Sequence, residues 1–152
     1  MSNDGPGSRL TPKLIDSLYV EAMVLADEAR AYFDQHGRDD RLGLDPILRV
    51  GFSCESLKVT TRLMHIIAWL LTQRAVEAGE ISPLQARSPA RRLGEATESD
   101  LEIIPSLPPQ AVELIDASRE LYARIRRIDE GGGPHASMSP ARSLMSRLER
   151  SL

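Results

Sequence analysis

His65 and Trp69 stand one helical turn apart in the stretch Ser53 to Val76, and that spacing can build a pocket wall carrying a base beside a stacking ring. Catalysis would also need a nucleophile and an orienting group, and no such set surrounds them, so both read as core or interface side chains. Cys54 is the single cysteine and has no second thiol for a disulfide or a thiolate metal site. Without an adjacent base it is expected to behave as a small buried hydrophobe. His36 and His135 lie in breaker-rich segments, and no two histidines have the spacing that puts two ligands on one helical face. Gly131-Gly132-Gly133 precedes Pro134 and reads as a hinge rather than a phosphate loop, which joins a strand to a helix. No catalytic residue, cofactor site or metal site is assigned, and the chain reads as a non-enzyme.

Polar residues at helical spacing point instead to recognition. Glu55, Lys58 and Arg62 follow i, i+3 and i+4 steps; they read first as a solvated stripe of ion pairs and second as a polar ladder that docks another protein. Arg119, Arg124, Arg126 and Arg127 form a basic run that a DNA-associated regulator could use. Glu113, Asp116, Glu120, Asp129 and Glu130 lie close by, however, and make this a balanced outer face. A formal net charge of -3 also argues against nucleic acid, since non-specific affinity comes from Lys and Arg displacing counterions.

The elements that must position these residues are marked by an oxygen-bearing cap followed by proline: Thr11-Pro12, Asp45-Pro46, Ser82-Pro83, Ser88-Pro89 and Ser139-Pro140. From Thr11, apolar residues recur at Leu14, Leu18, Ala22, Leu25, Ala29 and Phe33, predicting a first helix that Gly37 ends. A charged linker from Arg38 to Leu44 follows. Asp45-Pro46 opens a second helix with no strong stop before Gly79, about 34 residues and about 50 Å long. Pro108-Pro109 opens a third, with Ala111, Leu114, Ile115, Ser118, Leu121, Tyr122, Ile125 and Ile128 on its stripe. The crossover from Glu80 to Leu107 is longer than a compact hairpin requires.

Aromatics make up 4% of the chain, so the core must be aliphatic, which favours helices over sheets. The expectation is an all-α, antiparallel three-helix bundle over residues 11–130, with a disordered N-terminus at 1–10 and a flexible tail at 131–152. The overlong second helix either kinks near Gly51 or packs on a second copy. A homodimer that buries Ile47, Leu48 and Phe52 is the simpler solution. In the tail, Leu144, Met145 and Leu148 share one side, with Arg142 and Arg147 around them. The segment reads either as a tethered recognition element or as a frayed end. The longest apolar run, Ile66 to Leu71, is too short to span a bilayer, and no signal peptide is visible at the N-terminus, so a cytoplasmic protein is expected.

The run Glu55-Ser56-Leu57-Lys58-Val59-Thr60-Thr61-Arg62-Leu63-Met64, continued by Ala68-Trp69-Leu70-Leu71 and Gln73-Arg74-Ala75-Val76, resembles the signature of the alphaproteobacterial RcdA-like family, regulators of degradation of the master cell-cycle response regulator. Leu18-Tyr19, Glu21-Ala22-Met23 and Gly37-Arg38-Asp39 fit the same pattern. The resemblance implies a homodimeric three-helix bundle that acts without catalysis as an adaptor. Its implied partners are the ClpXP protease machinery, a single-domain response regulator and a cyclic-di-GMP effector, and a C-terminal tail tied to delivery would correspond to residues 130–152.

Overall fold

The computed structural model describes residues 11–131. Every described residue in regular structure is helical: α1 (Pro12–Ala31), a π turn (Tyr32–His36), α2 (Gly37–Leu42), α3 (Pro46–Glu77), a short α4 (Pro83–Ala86) and α5 (Pro109–Glu130), with 3-10 turns at Pro89–Arg91 and Ile104–Ser106. The cap-then-proline pattern starts these elements as expected. Thr11 Oγ1 accepts from the Leu14 amide at 3.1 Å, Asp45 Oδ1 from Leu48 at 2.9 Å, and Ser82 and Gln85 close a reciprocal capping box. Ser139-Pro140 lies outside the described residues.

Gly37 does not end the first helix. It is buried with ordinary helical torsions, and a Cβ there would sit 2.9 Å from the Tyr32 carbonyl oxygen. Its lack of a side chain therefore serves close approach, and the helix runs on through a π turn as far as Leu42. What the sequence reads as a charged linker is thus largely α2. The second predicted helix is one uninterrupted element of 32 residues, with no break at Gly51.

α1 pairs antiparallel with both long partners. Arg74 near the end of α3 bonds Asp16 near the start of α1, and Arg124 late in α5 pairs with Glu21 early in α1. α3 and α5, by contrast, run the same way: Arg62 meets Ser118, and one turn or more further along Trp69 meets Asp129. A parallel pair cannot be joined by a tight turn, which is why the whole of residues 78–108 lies between them. The crossover returns along α3, with Gly94 against His65 and Ile103 against Gly51. The core is aliphatic, built from Ile15, Leu18, Leu25, Val59, Leu63, Ile66, Leu70, Ile115, Leu121 and Ile125. Tyr32, Phe33 and Phe52 form an aromatic cluster where α1 and α3 meet.

Candidate interaction surface

The polar ladder of α3 lies inside the molecule. Glu55 is 1% and Arg62 2% exposed, so the solvated-stripe reading is corrected, and neither side chain presents itself to a docking partner. Both hold the crossover. Glu55 Oε2 accepts from the Asp100 amide and from Lys58 Nζ, each at 2.9 Å. Arg62 donates to Ser118 Oγ at 3.2 Å, to Ser99 Oγ at 2.7 Å and to the Thr97 carbonyl at 3.3 Å. Lys58 is half-buried at the rim. Burial works to raise the Glu55 pKa, but the Asp100 amide, the Ser99 hydroxyl and the Lys58 ammonium outweigh it and hold the carboxyl below its usual range. Burial pushes the Arg62 pKa down, and the Glu55 charge opposes that.

Two further ties complete this latch. Tyr122 donates its hydroxyl to the Gly94 carbonyl at 2.7 Å. Asp129 is buried and accepts from Trp69 Nε1 at 2.9 Å, Arg92 Nε at 2.8 Å and the Leu93 amide at 3.3 Å. Trp69 is therefore a core residue, as expected. His65 is half-buried under the crossover, its ring packed where a Gly94 Cβ would otherwise stand. The sequence reading places Asp129 on the balanced outer face of the third helix, and it is instead buried. The signals available were a buried indole N–H in need of an acceptor and a serine, Ser118, on an otherwise apolar stripe.

The face of α3 turned away from α1, α5 and the crossover is apolar. Ile47 (81% exposed), Val50 (62%), Leu57 (67%), Met64 (63%) and Leu71 (47%) recur along it. Cys54, which is exposed rather than buried as expected, Ala68 and the half-buried, polar Thr61 complete an alternation of three- and four-residue steps. That is the heptad spacing of a helix–helix seam. Of the expected interface residues, Ile47 lies on this seam, Leu48 is half-buried, and Phe52 is 4% exposed. Phe52 is thus corrected to the core of the single chain, where its ring stands 5.5 Å from that of Phe33. Arg142, Leu144, Met145, Arg147 and Leu148 lie outside the described residues.

The basic run of α5 is largely neutralised. Arg119 pairs with Asp116, Arg124 with Glu21 and Glu120, and Arg126 with Glu130 and Glu95. Among the described residues no group of three or more His, Cys, Asp or Glu could hold a metal, and no helix is long and apolar enough to cross a membrane.

These features define an all-α bundle protein whose distinctive surface, among the described residues, is one long helix with an exposed apolar seam. The model of a family described as protein of unknown function (DUF1465) matches residues 7–152. The crystal structure of RcdA from Caulobacter crescentus CB15 matches with a TM-score of 0.66 at 34% identity, over 83% of this chain and 96% of that one. No curated protein matches the chain. The chain belongs to the RcdA-like family.

Proposed function

We propose that the protein is a non-catalytic, cytoplasmic adaptor that works as a homodimer and helps deliver cell-cycle regulatory substrates to the ClpXP protease, alongside a response regulator and a cyclic-di-GMP effector. The observation that carries this reading is the exposed heptad seam of α3, a surface built for another helix. A second copy offers a self-complementary seam of the same length, and pairing would remove five large apolar side chains from water. The tail at 131–152 is assigned to a second contact, in which Leu144, Met145 and Leu148 fold into a partner groove and Arg142 and Arg147 steer toward an acidic surface. The neutralised arginines of α5 speak against the DNA-associated alternative.

One experiment tests both halves. The full chain, the double variant Leu57→Asp/Met64→Asp and a chain truncated after Glu130 are compared by sedimentation and in a reconstituted proteolysis assay. The full chain should dimerise at about tens of micromolar, the double variant should remain monomeric, and the truncated chain should dimerise normally while losing delivery. A full chain that stays monomeric throughout that range would sink the seam reading. Undiminished delivery by the truncated chain would sink the role given to the tail.

A further inference from the structure

A cleft of about 460 Å³ opens between the π turn, α2 and the early turns of α3. It lies on a different flank of α3 from the apolar seam. Its floor is the half-buried ring of Phe33, backed edge-to-face by the buried ring of Phe52, with centroids 5.5 Å apart and planes 72° apart. Gly37 forms a wall, and its bare Cα keeps the floor open, since a Cβ would come within 3.4 Å of the Phe52 ring. Phe33 lies within the π turn itself, a wide turn of a kind often found at functional sites.

The charged side chains that line the cleft have one sign. Arg38 and Arg41, one helical turn apart on α2, are the ionisable side chains that line it, and Ser53 and Ser56 line it from α3. Arg41 is held in place, because its Nε donates to Ser53 Oγ at 2.9 Å, and among the described residues its two terminal nitrogens make no hydrogen bond. The nearby acids are engaged elsewhere or lie off the wall. Asp40 accepts from the Tyr32 hydroxyl at 2.6 Å, Asp45 caps α3, and Asp34 and Asp39 do not line the cleft. Tyr32 stays protonated in this arrangement, since burial and the Asp40 carboxylate both push its pKa up.

An aromatic floor with two guanidinium groups at the rim selects a large apolar side chain with carboxylates beside it. Arginine pairs bidentately with carboxylates, and rings on the floor accept an aliphatic or aromatic anchor. We propose that this cleft binds an acidic peptide segment of a partner protein, one leucine or phenylalanine side chain on the Phe33–Phe52 floor and flanking carboxylates on Arg38 and Arg41. The inference deepens the adaptor reading by giving the folded body a class of client motif. Binding is measured without protease, so binding without delivery would overturn the adaptor role and leave the site standing.

The test uses the full chain, labelled with 15N, titrated with the peptide Ac-Glu-Asp-Leu-Asp-Glu-NH2. Saturable shifts are expected for amides of residues 33–42 and 52–56. Replacing the central leucine of the probe by alanine should weaken binding about tenfold, as should Arg41→Glu, and raising salt from about 50 to about 500 mM should weaken it further. Arg38→Glu is the second variant: Arg38 is exposed, so this change leaves the fold intact even if Arg41→Glu loosens the contact with Ser53. Shifts absent from the cleft at about millimolar peptide, equal binding of the alanine probe, or indifference to Arg38→Glu would each overturn the proposal. Stronger displacement of the same signals by AMP than by the peptide would overturn it in favour of a nucleotide site.

Discussion

Replacing Arg62 by Met keeps the length and apolar stem of the side chain and removes the guanidinium that ties α3 to both α5 and the crossover. Three hydrogen bonds disappear, to Ser118, Ser99 and Thr97. Bonds from a charged donor contribute about 1.5–3 kcal/mol each, so their sum overstates the loss. Two offsets apply. Burying a guanidinium costs several kcal/mol that Met does not incur, and the Ser118 hydroxyl keeps its bond to the Ile115 carbonyl at 2.9 Å. What remains is an unsatisfied Ser99 hydroxyl, a Thr97 carbonyl without its donor, and a Glu55 carboxylate that keeps Lys58 but loses the favourable field of Arg62. A net loss of about 2–4 kcal/mol follows, a large share of the stability of a domain this size.

Urea unfolding is the assay. With a slope of about 1–3 kcal/mol/M, the midpoint should fall by roughly 1–2 M. Arg62→Lys should fall between, because one ammonium cannot reach three acceptors on two elements. Amide exchange in the described segment from Leu93 to Leu101 should quicken in the Met variant, since that stretch has little regular structure of its own. A midpoint within about 0.3 M of the parent would refute the latch. If Arg62→Met instead left stability intact and abolished delivery, Arg62 would be a docking residue after all.

Two other outcomes follow from the same geometry. The Glu55 carboxyl is held below its usual range in the fold, so its contribution to stability is complete above its unfolded value of about 4.5 and is lost as pH falls through the lower folded value. Glu55→Gln should therefore flatten the acid limb of a stability-against-pH curve measured by thermal melts, and an unchanged limb would deny Glu55 that role. Gly37→Ala should lower the urea midpoint even though Ala is the better helix former by about 1 kcal/mol, because the new Cβ meets the Tyr32 carbonyl, a backbone atom that cannot swing away. A rise in midpoint would show that the π turn relaxes freely.

The helix starts were legible because their signal is local: an oxygen cap followed by proline acts within one turn, and Thr11, Asp45 and Ser82 each act as written. Gly37 was misread because the same residue stops a helix when it adopts left-handed torsions and continues one when a neighbour needs its space. The local geometry of the π turn, which brings the Tyr32 carbonyl close, and the tertiary contact with Phe52 decide between these. Glu55 and Arg62 were misread for a related reason. Charges at i and i+7 look solvated when a helix has partners on two sides, and nothing in their spacing announces that a non-helical crossover covers a third side. Phe52 was placed on a dimer surface because its partners, Tyr32 and Phe33, are about 20 residues away and reach it only through the π turn.

The parallel relation of α3 and α5 accounts for the surface that is left. In an up-down-up bundle a 32-residue helix would be flanked on two sides, and its ends would overhang its shorter partners. Here the crossover must travel back along α3 to start α5 at the correct end, and it covers a third side through contacts from Gly51 and Ile103 to His65 and Gly94. Clamping an extended segment there costs backbone entropy at each residue, which explains why polar ties from Glu55, Arg62, Tyr122 and Asp129 recur along its length. One side of α3 stays open, and the apolar residues on it follow a heptad rather than the 3.6-residue drift of a helix packed against a globular core. A helix already enclosed on three sides gains nothing within its own chain from such a stripe, which is why the homodimer proposed above rests on this seam rather than on the ends of the helix.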